Sequence, residues 1–312
     1  MAAPAVRSVF KESFKYYKSR KPLPDLRTVI DLYEPDPNTV TGLKGHVINE
    51  QGFPELGLKP VKEWKIYEFR KIPGLIFIRN PFTADGQRYW MIKCLKDYTR
   101  TPSILNLNAH NVMDENVAWW NACLRDNNKS LLAKLRWATL GYHYNWETKL
   151  YSEETKTKMP AELSELTVCF ARVLGFNDFT SEAGIINYYR MNSTLSGHTD
   201  HSEANVEAPL FSISLGQTGL YLMGGLMLDD PTVAMYLRSG DILIMSGDSR
   251  LRYHGIPKIL TADIISWCDI EEENERKCKW DEDDWDKANT YISEARINVT
   301  IRQVLKPGQT SL

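Results

Sequence analysis

Apolar residues recur along this chain in two rhythms, and the change falls near Gly184. Before it the spacing is helical. Phe10, Phe14 and Tyr17 stand at i, i+4 and i+7, one face of a helix within residues 1–21 that Pro22 and Pro24 end. Residues 86–101, 114–137 and 161–174 repeat that spacing. The second carries Trp119, Trp120, Leu124, Leu131, Leu132 and Leu135, with room for a break at Asn127-Asn128, and the third ends near Gly175. Residues 25–72, rich in Pro, Gly and charge, read as irregular, and Pro73-Gly74 as a turn into a buried strand, Leu75–Ile78. After Gly184 come short β-type runs: Gly184–Arg190, Leu210–Leu215, Leu220–Met223, Val233–Leu237, Asp241–Met245 and Arg296–Val304. Several strands at near-regular spacing predict a sandwich or jelly roll, so the class is α+β, helices first and then a compact β body.

Composition narrows the setting. The 312 residues are 43% apolar and 25% charged, enough for a large core. No run reaches the roughly 18 apolar residues of a membrane helix, and no apolar signal core lies near Met1. The five cysteines (Cys94, Cys123, Cys169, Cys268, Cys278) are odd in number and scattered, without a C-x-x-C pair. That argues against a disulfide framework or thiolate zinc site and for a reducing, intracellular compartment. Net charge is −2, but residues 269–286 hold ten acids and three bases, leaving the rest of the chain at +5. The acidic stretch reads as a surface insertion, and the basic body permits a polyanionic partner. Residues 1–21 carry Arg7, Lys11, Lys15, Lys18, Arg20 and Lys21 against one acid, Glu12. Three readings stand open for them: a helix docked on the body, a helix touching nucleic acid, or a mitochondrial address.

The chemistry starts from two of six histidines. His198-Thr199-Asp200 is a His-x-Asp pair whose side chains share a face on extended chain. His254 follows 56 residues after His198, beyond a strand and a turn, where a return strand brings it alongside. Two imidazoles and a carboxylate on one face of a metal form the facial triad of non-haem Fe(II) oxygenases. A His-x-Asp pair alone arises by chance, and a lone His254 has a structural reading. His201 competes as a ligand, but i+3 from His198 points elsewhere on a strand. The second motif is rarer. Arg296-Ile297-Asn298-Val299-Thr300-Ile301-Arg302 alternates polar and apolar residues, which predicts a half-buried strand. Turned inward, its polar face needs a partner, and a dicarboxylate held by an arginine fork is one. Asn187 and Tyr189 share a strand face just before the His-x-Asp pair and add suitable donors.

In this order, Asn-x-Tyr, His-x-Asp, His and Arg-x-Asn-x-Thr-x-Arg resemble the AlkB family of Fe(II)/2-oxoglutarate dioxygenases over roughly residues 137–305. Leu195–His198, Pro209–Gly216, Gly224-Gly225 and Ser239–Asp241 agree, and Leu131–Trp146 and Ser246–His254 look most like the first of the animal AlkB homologues. The resemblance implies a double-stranded β-helix (jelly-roll) core in residues 137–312, a helical support and nucleotide-recognition region in 25–136, and the basic helix in 1–24. It implies Fe(II) on His198, Asp200 and His254, with these three as the catalytic centre. It implies 2-oxoglutarate anchored by Arg296 with Asn187 and Tyr189, Arg302 near the keto-acid end and Asp200, Asn298 and Thr300 on the same wall, and looser contacts from Leu195 and Ser214. The activity implied is oxidative demethylation of bases in tRNA or unpaired DNA, at N-methyladenine or methylcytosine, releasing succinate, CO2 and, from N-methyl groups, formaldehyde. Ser202 stands where some AlkB enzymes carry a base-reading Asp, which leaves the target base open.

A methylated base must be unpaired or flipped to reach such a centre. Stacking candidates are Trp137, Tyr142, His143, Tyr144 and Trp146, beside Lys129, Lys134 and Arg136, with Tyr142 and Tyr144 read as sharing a strand face and Trp137 equally readable as core. The expected protein is a monomer without a membrane partner, in the nucleus, mitochondrion or cytoplasm. The same oxygenase chemistry on a protein side chain, or a non-catalytic nucleic-acid binding module, are the other readings.

Overall fold

A computed structural model describes residues 8–50, 52–125, 129–268 and 278–312. The helices are α1 (Val9–Lys18), α2 (Ala84–Ile92, continued by a π-turn over Lys93–Asp97), α3 (Asn106–Ala109), α4 (Trp119–Arg125), α5 (Lys129–Lys134), α6 (Ala161–Val173) and α7 (Glu282–Ile292). The strands are β1 (Val40–Leu43), β2 (Lys65–Phe69), β3 (Leu75–Arg79), β4 (Ile104–Leu105), β5 (Trp137–Gly141), β6 (Ala183–Arg190), β7 (Leu195–His198), β8 (Leu210–Gly216), β9 (Thr218–Met223), β10 (Val233–Leu237), β11 (Ile242–Met245), β12 (His254–Leu260) and β13 (Ala295–Arg302).

They form a nine-stranded sheet, β1-β2-β3-β11-β8-β13-β6-β5-β4, and a four-stranded sheet, β10-β9-β12-β7. Leu75, Phe77, Leu210, Leu243 and Met245 of the first pack with Tyr221, Met223, Met235, Leu237, Ile256 and Ile259 of the second in one core cluster. The larger sheet's other face meets the helices: Ile297, Val299 and Ile301 of β13 share a cluster with Trp90, Trp119, Leu166, Phe170 and Trp285. The period-2 pattern of β13 thus divides its side chains between helices and site.

Residues 25–72 are not irregular throughout, since β1 and β2 extend the large sheet. Four-residue β1 and a β2 with burial on both faces leave little alternation to read. The 114–137 segment divides into α4 and α5, and Trp137 opens β5 instead of closing a helix. Asn127-Asn128 lie outside the described residues, as do residues 269–277 of the acidic stretch. Its remainder corrects the insertion reading. Asp281 caps α7 by accepting from the Asp284 amide, Glu282, Asp283 and Asp284 fill the first turn, and Trp285, Ala288, Tyr291 and Ile292 are buried. Acids at a helix N-terminus complement its dipole, so the charge run marks a helix start.

α1 docks on the small sheet, as the first of its three readings has it. Phe10 is buried, with Phe14 and Tyr17 packed beside it. A Cβ on Gly197 would lie 2.3 Å from the Phe10 ring, and one on Gly224 2.9 Å from it. These two glycines make the slot that seats the ring against the strand bearing His198.

Candidate metal site and its two chambers

β7 and β12 pair so that His198 and His254 are direct partners across the ladder. Their ring centroids are 4.4 Å apart, and His254 Nε2 lies 3.5 Å from Asp200 Oδ2. One ligand atom from each of His198, Asp200 and His254 falls within 4.8 Å of the other two. The Nδ1 atoms are engaged elsewhere, His198 with Ser196 O at 2.9 Å and His254 with Arg252 O at 3.0 Å. An Nδ1–H given to a carbonyl leaves Nε2 as a free lone pair, the tautomer a metal needs. Burial, joined by the charge of the adjacent His254, pushes the His198 pKa down to about 4. Burial opposes ionisation of Asp200, but Arg302 and the imidazoles outweigh it and hold that carboxyl well below its usual range. The donor set is two imidazole Nε2 atoms and a carboxylate, suited to a divalent iron. His201 is exposed and turns its Nδ1 to Thr199, outside the cluster.

Beside the cluster lies a narrow chamber, lined among others by Asn187, Tyr189, Leu195, Arg296, Asn298, Thr300 and Arg302. β13 is buried along its whole length, a departure from the expected half-buried strand: the polar face looks into this chamber and not into water. Arg296 is 1% exposed. Its Nη2 donates to Ser214 Oγ at 2.9 Å, while among the described residues Nε, Nη1 and the Tyr189 hydroxyl have no hydrogen-bond partner. Orphaned buried donors around a guanidinium are costly unless an anion joins them, so a carboxylate fits this end of the chamber. Gly219 makes the approach possible, because a Cβ there would lie 2.7 Å from Arg296 Nε. Asn298 is held by Ser212 Oγ and Ile213 O, and Thr300 donates to Asn298 Oδ1. Ser214 stands behind Arg296 and is not among the lining residues; Ser212 is.

The same cluster also borders a wider, more open mouth. Tyr144, Trp146, Lys149, Tyr151 and Tyr253 line it, and His198, Asp200 and Arg302 are shared with the chamber. Trp146 is 45% exposed and packs on Tyr144 at 4.8 Å and on Trp137 at 5.3 Å. Trp137 thus backs the rim without lining it. Tyr142 corrects the sequence expectation. It follows β5 on irregular chain, is 1% exposed, packs with Val304 and Leu305, and donates to Glu153, so it shares no strand face with Tyr144 and lines neither cavity. His143 is a structural residue, its ring between the hydroxyls of Thr139 at 2.8 Å and Thr157 at 3.0 Å, and burial takes its pKa down to about 4. Lys134 and Arg136 are exposed, and nothing is described of the Lys129 side chain.

Sequence reasoning missed Tyr221, which stacks on His254 at 5.8 Å and lines the chamber. It also missed Glu203 and Arg250, a buried pair at 3.1 Å beside the cluster. Glu203 follows Asp200 by three positions and Arg250 precedes His254 by four, but each stands among other charged residues, so the sequence offered no signal that singled them out.

This architecture belongs to a known class. The sequence matches the 2OG-Fe(II) oxygenase superfamily over residues 74–302, and the chain belongs to that superfamily, whose cofactors are Fe(II) and 2-oxoglutarate; it is a 2-oxoglutarate-dependent dioxygenase. Within it, the chain is 37% identical to nucleic acid dioxygenase ALKBH1 of Mus musculus, across 99% of this chain and 87% of that one. It is 31% identical to DNA N(6)-methyladenine demethylase ALKBH1A of Arabidopsis thaliana, across 74% and 75%. It is 28% identical to tRNA demethylase abh1 of Schizosaccharomyces pombe, across 95% and 96%.

Proposed function

We propose that this dioxygenase removes methyl groups from nucleic-acid bases in tRNA or unpaired DNA, with N-methyladenine or methylcytosine as targets. The observation that carries this reading is the cluster of His198, Asp200 and His254, two of which, His198 and Asp200, line both a guanidinium-lined chamber and an aromatic mouth. The names of the three relatives supply the substrate class.

His198, Asp200 and His254 hold the iron. The carbonyls of Ser196 and Arg252 fix the imidazole tautomers. Arg296 and Tyr189 take the far carboxylate of 2-oxoglutarate, with Ser214 orienting the guanidinium and Asn187 and Leu195 closing the side. Arg302 sits at the keto-acid end, tied to Asp200 at 2.9 Å, and Asn298 and Thr300 complete that wall. With both bound, iron and keto acid supply the oxidation of a methyl group by O2, giving succinate, CO2 and, from N-methyl groups, formaldehyde. A methyl group stacked inside a duplex is out of reach of an enzyme's centre, so the base enters unpaired or flipped and rests against Tyr144 and Trp146, with Trp137 behind them.

The strands of residues 137–312 in the two facing sheets serve as the double-stranded β-helix core; residues 25–136, whose β1–β4 extend the larger sheet, serve as support and nucleotide recognition, and 1–24 as a docked helix. The protein acts as a monomer inside the cell, in the nucleus, mitochondrion or cytoplasm. Mass spectrometry of nucleosides after incubation with Fe(II), 2-oxoglutarate and O2 tests the reading. Methylated tRNA and unpaired methylated DNA are compared with methylated peptide. Loss of methyl from a base is expected; peptide turnover alone would move the substrate class, and no succinate would remove the oxygenase role.

A further inference from the structure

The three groups already placed at the metal do not explain why Asp200 stands where it does. That residue follows β7 on irregular chain, and both its ends are gripped by arginines. Arg250 Nη1 donates to the Asp200 backbone carbonyl at 2.6 Å, and Arg302 Nη2 to Asp200 Oδ1 at 2.9 Å. The second contact occupies Oδ1 and leaves Oδ2 facing His254. Two guanidiniums against one carboxylate would put a surplus positive charge beside a site for a dication.

Glu203 removes that surplus. Its side chain is 2% exposed. Oε2 accepts from Arg250 Nη2 at 3.1 Å. Oε1 accepts from the Tyr151 hydroxyl at 3.1 Å and lies 3.1 Å from Arg302 Nε. Arg250 is further fixed by donating from Nε to Ala208 O at 3.0 Å. One carboxylate therefore touches both arginines that hold Asp200, and a buried guanidinium needs such a partner to stay ordered in an apolar surround.

We propose that Glu203 is a positioning residue for the metal: by pairing with Arg250 and Arg302 it presents Asp200 through one oxygen and cancels the excess positive charge next to the ion. The proposal rests on the assignment of His198, Asp200 and His254 as metal ligands. It assigns Glu203 no contact with metal, cosubstrate or base. Outer partners of metal ligands typically govern affinity by about 10–100-fold, the size of effect expected here.

The test is Mn2+ binding to the full chain, followed by electron paramagnetic resonance, with thermal melting of the metal-free protein alongside. Glu203→Gln keeps the volume and removes the charge. It is expected to bind Mn2+ about 10–100-fold more weakly than the wild type. Glu203→Asp, which restores the charge, is expected to recover part of that loss. A folded Glu203→Gln with wild-type Mn2+ affinity overturns the proposal. If Glu203→Gln does not fold, Tyr151→Phe decides: removing one donor to Oε1 should weaken Mn2+ binding severalfold, and an unchanged affinity overturns the proposal. A wild-type chain that binds no Mn2+, or binds it equally well as His198→Ala, would instead strike at the ligand assignment on which the proposal stands.

Discussion

The chamber and the mouth share a wall of metal-binding groups yet are built by different means. The chamber's donors sit on strands, paired in register on both sides: Arg296 faces Tyr189 on β6 and Gly216 on β8, and Asn298 faces Asn187 and Ser214. Three of the mouth's four aromatics, Tyr144, Trp146 and Tyr151, sit on the chain after β5 and Tyr253 sits just before β12; the most exposed of them, Trp146, is nearly half exposed. Ladder geometry fixes a donor to within a fraction of an ångström, which a small dicarboxylate requires. Loop-borne rings adapt, which suits a large ligand recognised by its flat face. The division predicts that chamber lesions act on cosubstrate and mouth lesions on nucleic acid.

The sharpest way to break that comparison is to remove the wall. His198→Ala should abolish both Mn2+ binding and succinate formation, and activity surviving it would dissolve the site. Next in size is an acid effect on the mouth's foundation. The folded pKa of His143 lies near 4, below the 6.5 of a free histidine. Its contribution is therefore fully present above pH 6.5 and drains away as pH falls toward 4, by about 3 kcal/mol at the limit. Melting curves across that window should flatten in His143→Gln, and an equally steep wild-type and variant slope would refute the assignment. Arg296→Ala should weaken 2-oxoglutarate binding by about 1.5–3 kcal/mol while leaving oligonucleotide affinity untouched, read by calorimetry with each ligand. Trp146→Ala should do the reverse, costing about 1–3 kcal/mol in single-stranded oligonucleotide binding with no change for 2-oxoglutarate. If both variants lost both ligands, the chambers would not be separable.

The same contrast explains what was legible in the sequence. The chamber was readable because a strand converts spacing into direction: Arg296, Asn298, Thr300 and Arg302 at every second position had to share a face. His198 and Asp200 obey the same rule. The mouth was readable only in part: Tyr144 and Trp146 line it, but Tyr142 and Tyr144 are two apart on chain that is not a strand, so the face rule misplaced Tyr142. α7 was hidden behind its own cap, four acids that look like solvated surface until the buried Trp285 and Tyr291 are seen behind them. Glu203 gave no periodic signal, since its meaning depends on Arg250 and Arg302, 47 and 99 positions away.

The slot that seats Phe10 has a bearing on how the chain acquires its shape. Ser8 and Phe10 bond to Leu228, some 220 residues downstream, and one wall of the slot, Gly197, adjoins His198. The berth of α1 is built from chain far downstream, so its apolar face stays uncovered until the small sheet closes. Contacts of such long reach are slow to form. α1 can dock only on a finished small sheet, and in docking it covers the strand that carries His198.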